Sequence, residues 1–299
     1  MIRIDGISKS YGDVKSLDGI DTVIESGSIF GLVGSNGSGK STLLRVMCGI
    51  FRPDSGVVEY DGAPVFENVR LKNEIVYLSD DQFFLSSATL DDMARLYAAT
   101  YSNFSKEEYK RLLDLFALPR SRKISTFSKG MQKQAAILLG LSAMPRWLLC
   151  DETFDGLDPV MRQLVKRVLA DAVAKRGLTA VIASHNLREL EDICDHIGLL
   201  HKGGILFESE IDALKENIHT VQAVFSREIM PEEIARLGTV SVKQRGSMVT
   251  AVVRGTRDEV KAKIEALSPD FYEIIPLTLE EIFISEMEER GYDYAKVVF

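Results

Sequence analysis

Residues 31–42, "GLVGSNGSGKST", run from a short apolar stretch into a loop with glycines at 34, 37 and 39 that ends in Lys40, Ser41 and Thr42. A tight turn needs one or two glycines, whereas this loop gives up side chains at three positions. Gly34-Ser35-Asn36-Gly37-Ser38-Gly39-Lys40-Ser41 fits the phosphate-cradling pattern G-x-x-x-x-G-K-[ST], with a strand expected before it and a helix after it. Glycines let backbone N–H groups turn inward toward phosphate oxygens, where a Cβ would intrude. A helix starting near Lys40 adds its positive N-terminal end. Lys40 is then placed to reach the β- and γ-phosphates of a nucleotide, and Ser41 to ligate Mg²⁺.

A strand–loop–helix of this kind calls for a sheet behind it, and the chain supplies one. "SIFGLV", "WLLCD" and "TAVIAS" are strand-like, and each is followed by a helical stretch, from Ser41, after Asp158 and from Asn186. Such alternation predicts a mostly parallel sheet covered by helices. Val160, Leu164, Val168 and Ala172, with Met161, Val165 and Leu169 beside them, read as the buried stripe of one of those helices. From about Ser87 to Met144 the rhythm breaks into three helical segments, with Thr89 and Ser105 placed as N-caps, so a helical insertion interrupts the sheet. Beyond residue 218 the pattern changes again. "TVQAVFS", "TVSVKQRGSMVTAVVRG" and "FYEIIPL" are strand-like, and "RDEVKAKIEAL" and "LEEIFISEMEE" are helical. The reading is an α/β domain around the phosphate loop over 1–218, with a helical subdomain over about 87–144, and a small α+β domain over 219–299.

Composition narrows the function. The 299 residues carry 36 Lys+Arg against 44 Asp+Glu, a net charge of −8, which disfavours nucleic acid as a partner. Cys48, Cys150 and Cys194 lie far apart in apolar stretches, as expected of buried thiols and not of a disulfide or zinc framework. The first residues lack the apolar core of a signal peptide, and no run approaches the roughly 20 apolar residues of a membrane span. A soluble chain is expected.

The run "RWLLCDE" ends in Asp151-Glu152. An aspartate at the tip of a buried strand can hold a magnesium ion through water, and the next carboxylate can polarise an attacking water. With the phosphate loop, this pair reads as the second half of an ATP-hydrolysing site.

At this point the chain resembles the ATP-binding cassette (ABC) family over most of residues 1–217. "FSKGMQKQ" is similar to the family's signature segment, with Ser128 and Gly130 in the Ser and second-Gly positions. Lys129 and Met131 replace the more usual Gly and Gln. "DETFDGLDP" places Asp158 at the D-loop aspartate, and Thr153 and Phe154 stand where proline and threonine are commoner. His185, in "ASHNLRELEDICDHIGLL", matches the histidine that contacts the γ-phosphate. Tyr11, in "SKSYG", lies where the family stacks an aromatic ring on adenine, a contact worth about 1 kcal/mol. One departure stands out. The family's metal-touching glutamine follows a strand like "IVYL", and here that segment continues "SDDQFFL", with Asp80 in the glutamine's register and Gln82 two residues on. Either could take the role.

The resemblance implies an α/β P-loop ATPase core with a mixed, largely parallel sheet, antiparallel N-terminal strands, a helical insertion and the C-terminal α+β appendage. It implies ATP and Mg²⁺ as ligands, Glu152 as general base and His185 as γ-phosphate sensor. Partners implied are a second cassette, identical or paralogous, in a head-to-tail dimer, and a separate membrane permease. Localisation would be cytoplasmic, on the inner face of the membrane through that permease. Phe83, Phe84, Tyr97, Tyr101 and Phe104 of the insertion would form a groove for the permease. The closing "LTLEEIFISEMEERG" is similar to export-type cassettes. A regulatory ATPase uncoupled from transport is the alternative reading. A single phosphate loop speaks against ribosome-associated tandem cassettes, and the lack of a long heptad run between Ser41 and Ser128 speaks against chromosome-organising relatives.

Overall fold

The computed structural model describes residues 1–289 other than 228, 230–232, 235 and 236, and the backbone alone of 286–289. Residues 290–299 of the expected C-terminal domain, including the end of its closing segment, lie outside the described residues. The chain divides into two compact units, Met1–Glu208 and Ser209–Phe299.

The first unit begins with an antiparallel pair, β1 (Ile2–Tyr11) and β2 (Val14–Ile24), extended by β4 (Ser55–Tyr60) and β5 (Ala63–Pro64) in the order β2-β1-β4-β5. Ile2, Ile4 and Ile7 on one strand, and Leu17, Ile20 and Ile24 on the other, turn to the core. Behind them lies a six-stranded sheet of β3 (Ile29–Val33), β6 (Ile75–Leu78), β7 (Trp147–Asp151), β8 (Thr179–Ser184), β9 (His196–His201) and β10 (Gly204–Glu210). Its order is β10-β9-β3-β8-β7-β6, and the pairs from β9 to β6 are parallel. β3, β7 and β8 are buried along their whole length, which is why they read as continuous apolar runs instead of alternating ones. One core joins both sheets across α1 (Lys40–Met47); Trp147 packs edge-on against Tyr60 within it, ring centroids 4.8 Å apart.

Between α2 (Val69–Lys72) with β6 and the following β7 come α3 (Leu90–Thr100), α4 (Lys106–Phe116) and α5 (Lys129–Ser142). Thr89 and Asp92 form a reciprocal capping box on α3, and Ser105 accepts from Glu108 N on α4. α5 lies close on β6, where a Cβ at Gly140 would sit 2.9 Å from Leu78 Cδ2. α6 (Pro159–Arg176) and α7 (Leu187–Glu191) follow β7 and β8. The buried stripe of α6 is Val165, Val168, Leu169 and Ala172, while Val160 is 77% exposed. The expected four-residue repeat is corrected because a step of four drifts about 40° around a helix of 3.6 residues per turn.

The second unit contains α8 (Ile211–Glu216), β11 (Ile218–Val224), β12 (Thr239–Arg245), β13 (Met248–Arg254), α9 (Arg257–Ala266), β14 (Phe271–Pro276) and α10 (Leu279–Glu289). Its sheet, β12-β13-β11-β14, is antiparallel throughout. Val221, Ala223, Val249, Ala251 and Val253 face Val260 and Ile264 of α9 in one apolar cluster. The division falls ten residues ahead of the expected boundary at 218/219. Leu214 of α8 packs on Ile218, Leu277 and Ile282, so this helix is part of the second core. No helix among the described residues is long and apolar enough to cross a membrane.

Candidate active site

Parallel pairing gathers the carboxyl ends of β3, β8, β7 and β6 along one edge of the sheet, the usual place for a ligand in such a fold. In that spatial order the edge carries the phosphate loop, His185, Asp151-Glu152 and the Asp80 loop.

Lys40 opens α1 and is 5% exposed. Its ammonium donates to Gly34 O at 2.6 Å and Ser35 O at 3.2 Å, and lies 3.5 Å from Glu152 Oε1. The glycines serve more than a ligand. A Cβ at Gly34 would sit 2.4 Å from Leu200 O, and one at Gly39, where φ is 112°, would sit 2.5 Å from Ser16 O. Those two positions also let the loop settle on its own chain, a second demand on the glycines beside room for phosphate. Gly37, at φ 80°, has open space around it. Ser38 Oγ is buried with no partner, and Ser16 Oγ and Thr42 Oγ1 are hydrogen-bonded at 2.9 Å.

Asp151 is 1% exposed, with both carboxylate oxygens engaged: Ser41 Oγ donates to Oδ1 and Tyr77 OH to Oδ2, each at 3.0 Å. Burial and this carboxylate push the Tyr77 hydroxyl well above the usual phenol range. Glu152 leaves the strand with φ 47°, its N–H donating to Ala183 O at 3.0 Å. This turn places its carboxylate between Lys40 and His185, whose Nδ1 lies 3.0 Å from Glu152 Oε2 and 3.9 Å from Asp155 Oδ2. The His185 loop is held from below by Glu189. Ser184 Oγ donates to the Glu189 carboxylate at 3.1 Å and accepts from Asn186 N, and Arg162 Nη2 lies 3.3 Å from it. Burial raises the Glu189 carboxyl, with Arg162 opposing.

A cleft of about 260 Å³ is lined by Ser16, Asn36, Gly37, Gly39, Lys40, Ser41, Thr42, Asp80 and Glu152. Ser41 Oγ and Asp151 Oδ1 beside it form a hard-oxygen pair that suits Mg²⁺. Asp80 also lines a neighbouring cleft of about 330 Å³ with Gln82, Lys133 and Asp155, and ion-pairs with Lys133 at 3.1 Å. Gln82 Nε2 donates to Ser79 O.

Tyr11, Ser128, Gly130 and Asp158 are among the expected site residues that do not line the 260 Å³ cleft. Tyr11 is half exposed at the end of β1, its ring edge-on to Phe51 at 6.0 Å. Ser128 accepts from Met131 N and so caps α5. A Cβ at Gly130 would sit 2.8 Å from Gly156 O, which is the physical reason for a glycine there. Asp158 caps α6 through Val160 N and Met161 N. Conversely, Tyr77, Lys133 and Asp155 are brought beside these residues, Tyr77 from an apolar strand and Lys133 and Asp155 from stretches that read as solvated charge. All three cysteines are buried and free, and burial pushes the Cys150 thiol up to about 12.

A family model described as ABC transporter matches residues 17–155. The ABC transporter ATP-binding protein YtrB of Bacillus subtilis is 30% identical over 286 residues, 96% of this chain and 98% of that protein. The chain belongs to the ABC transporter family. It is an ATP-binding and ATP-hydrolysing subunit of that family. Another ABC relative, the bacitracin transport ATP-binding protein BcrA of Bacillus licheniformis, is 30% identical over 219 residues, covering 72% of each chain. A solved ATP-binding subunit of an ABC transporter superposes with a TM-score of 0.67 at 26% identity, over 72% of this chain and 92% of that one. The ABC cassette MJ0796, solved as a dimer bound to ADP and Pi, shares the fold with a TM-score of 0.64 at 21% identity, over 71% and 99%.

Proposed function

We propose that the chain is the motor of an exporter whose membrane permease is a separate polypeptide, held by that permease at the cytoplasmic face. The observation that carries the hydrolytic part is the Glu152 carboxylate, held between Lys40 and His185 beside the Ser41–Asp151 pair. Main-chain N–H groups from Gly34 through Thr42 cradle the phosphates, Lys40 moves from its loop carbonyls onto the β- and γ-phosphate oxygens, and Tyr11 stacks on adenine. Ser41 and Asp151, with Asp80 or Gln82, would hold Mg²⁺, which would supply positive charge against the developing negative charge of the reaction. Glu152 takes a proton from water as the water oxygen bonds the γ-phosphorus and the bond to the β–γ bridging oxygen breaks, releasing ADP and phosphate. His185 donates to the γ-phosphate.

A second cassette completes the site. Ser128, Gly130 and Asp158 do not line the cleft that Lys40 lines, which leaves them to act on the nucleotide of a partner copy. Export is supported by the bacitracin and lantibiotic transport proteins among the relatives. Phe83, 76% exposed beside the helical insertion, is a contact for the permease. The test is the solution mass of Glu152→Gln by light scattering, with and without Mg-ATP. Doubling of the mass with ATP is expected; a chain that binds ATP and stays monomeric removes the self-sufficient dimer.

A further inference from the structure

α5 buries Ala135, Ala136, Ile137, Leu138 and Leu139, yet places Lys133, only 9% exposed, on the same helix. A buried ammonium is tolerated only where partners replace its water. Lys133 has two: the main-chain oxygen of Glu152 at 2.6 Å and Asp80 Oδ1 at 3.1 Å. We propose that Lys133 is a positioning residue for ATP hydrolysis, its ammonium fixing the Glu152 backbone and the Asp80 loop to one point on α5. The proposal rests on the reading of Glu152 as general base.

Glu152 sits at a φ of 47°, a left-handed conformation that a residue with a Cβ rarely adopts, so its surroundings must hold it there. Its N–H is tied to Ala183 O, and its carbonyl is tied to Lys133. With both flanking peptide groups anchored, the carboxylate is aimed toward Lys40 and His185. Asp80 is the exposed end of the device, its side chain 61% accessible and lining the cleft with Ser41 and Lys40. A shift of Asp80 when a charged nucleotide enters is therefore passed through Lys133 to the backbone of the base. A neutral side chain at position 80 would leave the ammonium without its carboxylate.

The test compares ATP turnover, and thermal stability, of the full chain with Lys133→Met, Asp80→Asn, the double variant and Glu152→Gln as reference. Lys133→Met should lower kcat on the order of 10- to 100-fold, the loss typical of a displaced catalytic group, with KM within about threefold. Asp80→Asn should lower kcat less, at unchanged melting temperature because the residue is exposed. The double variant should be no slower than Lys133→Met alone, as for two groups acting through one contact. Wild-type kcat in Lys133→Met, or losses that multiply in the double variant, would overturn the proposal while an inactive Glu152→Gln leaves the base in place. Normal turnover in Glu152→Gln overturns both readings. If Lys133→Met fails to fold, Asp80→Asn decides: an unchanged kcat, or a lowered kcat restored by excess Mg²⁺, overturns the link, and a lowered kcat with unchanged KM and unchanged Mg²⁺ dependence supports it.

Discussion

The two units bury different things. In the first, Lys40, Lys133, Asp151, Lys166 and Glu189 are charged and buried, each against a named partner within 3.5 Å. In the second, the buried polar side chains among the described residues are His219 and Ser285, in an otherwise apolar core. Desolvating a charge costs several kcal/mol unless it is paired, so a fold built for stability alone avoids it. Four of the five buried charges, all but Lys166, lie in or next to the loops at the carboxyl edge of the parallel sheet, where nucleotide chemistry needs fixed charge in a dry setting. The antiparallel sheet of the second unit folds by simple alternation and shows no comparable set.

That contrast can be broken at either end. The largest expected effect is Lys40→Ala, which removes the phosphate-facing ammonium; ATP hydrolysis should fall on the order of 10³-fold, and unchanged turnover would remove the site assignment. Next is Ile264→Ala, 1% exposed in the second core, which should cost about 2–4 kcal/mol in a denaturant titration with ATP affinity retained. A loss of ATP binding there would mean that the second unit is not simply a packed body. Smaller still is Thr256→Ala, which opens the capping box with Glu259 on α9 and should cost about 1 kcal/mol by thermal melting. The smallest is a slope. The Glu189 carboxyl is raised in the folded state, so the fold binds that proton more tightly than the unfolded chain, and this group's contribution to stability declines as pH rises through the carboxylate range. Glu189→Gln should flatten the pH dependence of the urea midpoint above the ordinary carboxylate range; an unaltered slope would show that the buried carboxyl is not the titrating group.

What could be read along the chain was what is local. The phosphate loop is a contiguous pattern, and Asp151, Glu152 and His185 announce themselves at the ends of apolar strands that a parallel sheet must align. The fold class followed from the same alternation. The reasons for Gly34 and Gly39 were hidden because the atoms that crowd them belong to Leu200 and Ser16, far away in sequence. Lys133 was hidden for a related cause: within "KGMQKQAAILL" it reads as a solvated charge, and only the packing of α5 beside β6 and β7 gives it two partners. Tyr77, inside the apolar "IVYL", gave no hint that its hydroxyl would hold Asp151.

The central claim is that Glu152, held between Lys40 and His185, activates the water that cleaves ATP. The most direct measurement is paired ATP binding and single-turnover hydrolysis by purified Glu152→Gln. Binding close to that of the natural chain, with hydrolysis slowed by about 10²- to 10⁴-fold, is the expected result for loss of a general base. Hydrolysis at the natural rate would contradict it and move the base to another residue, His185 first.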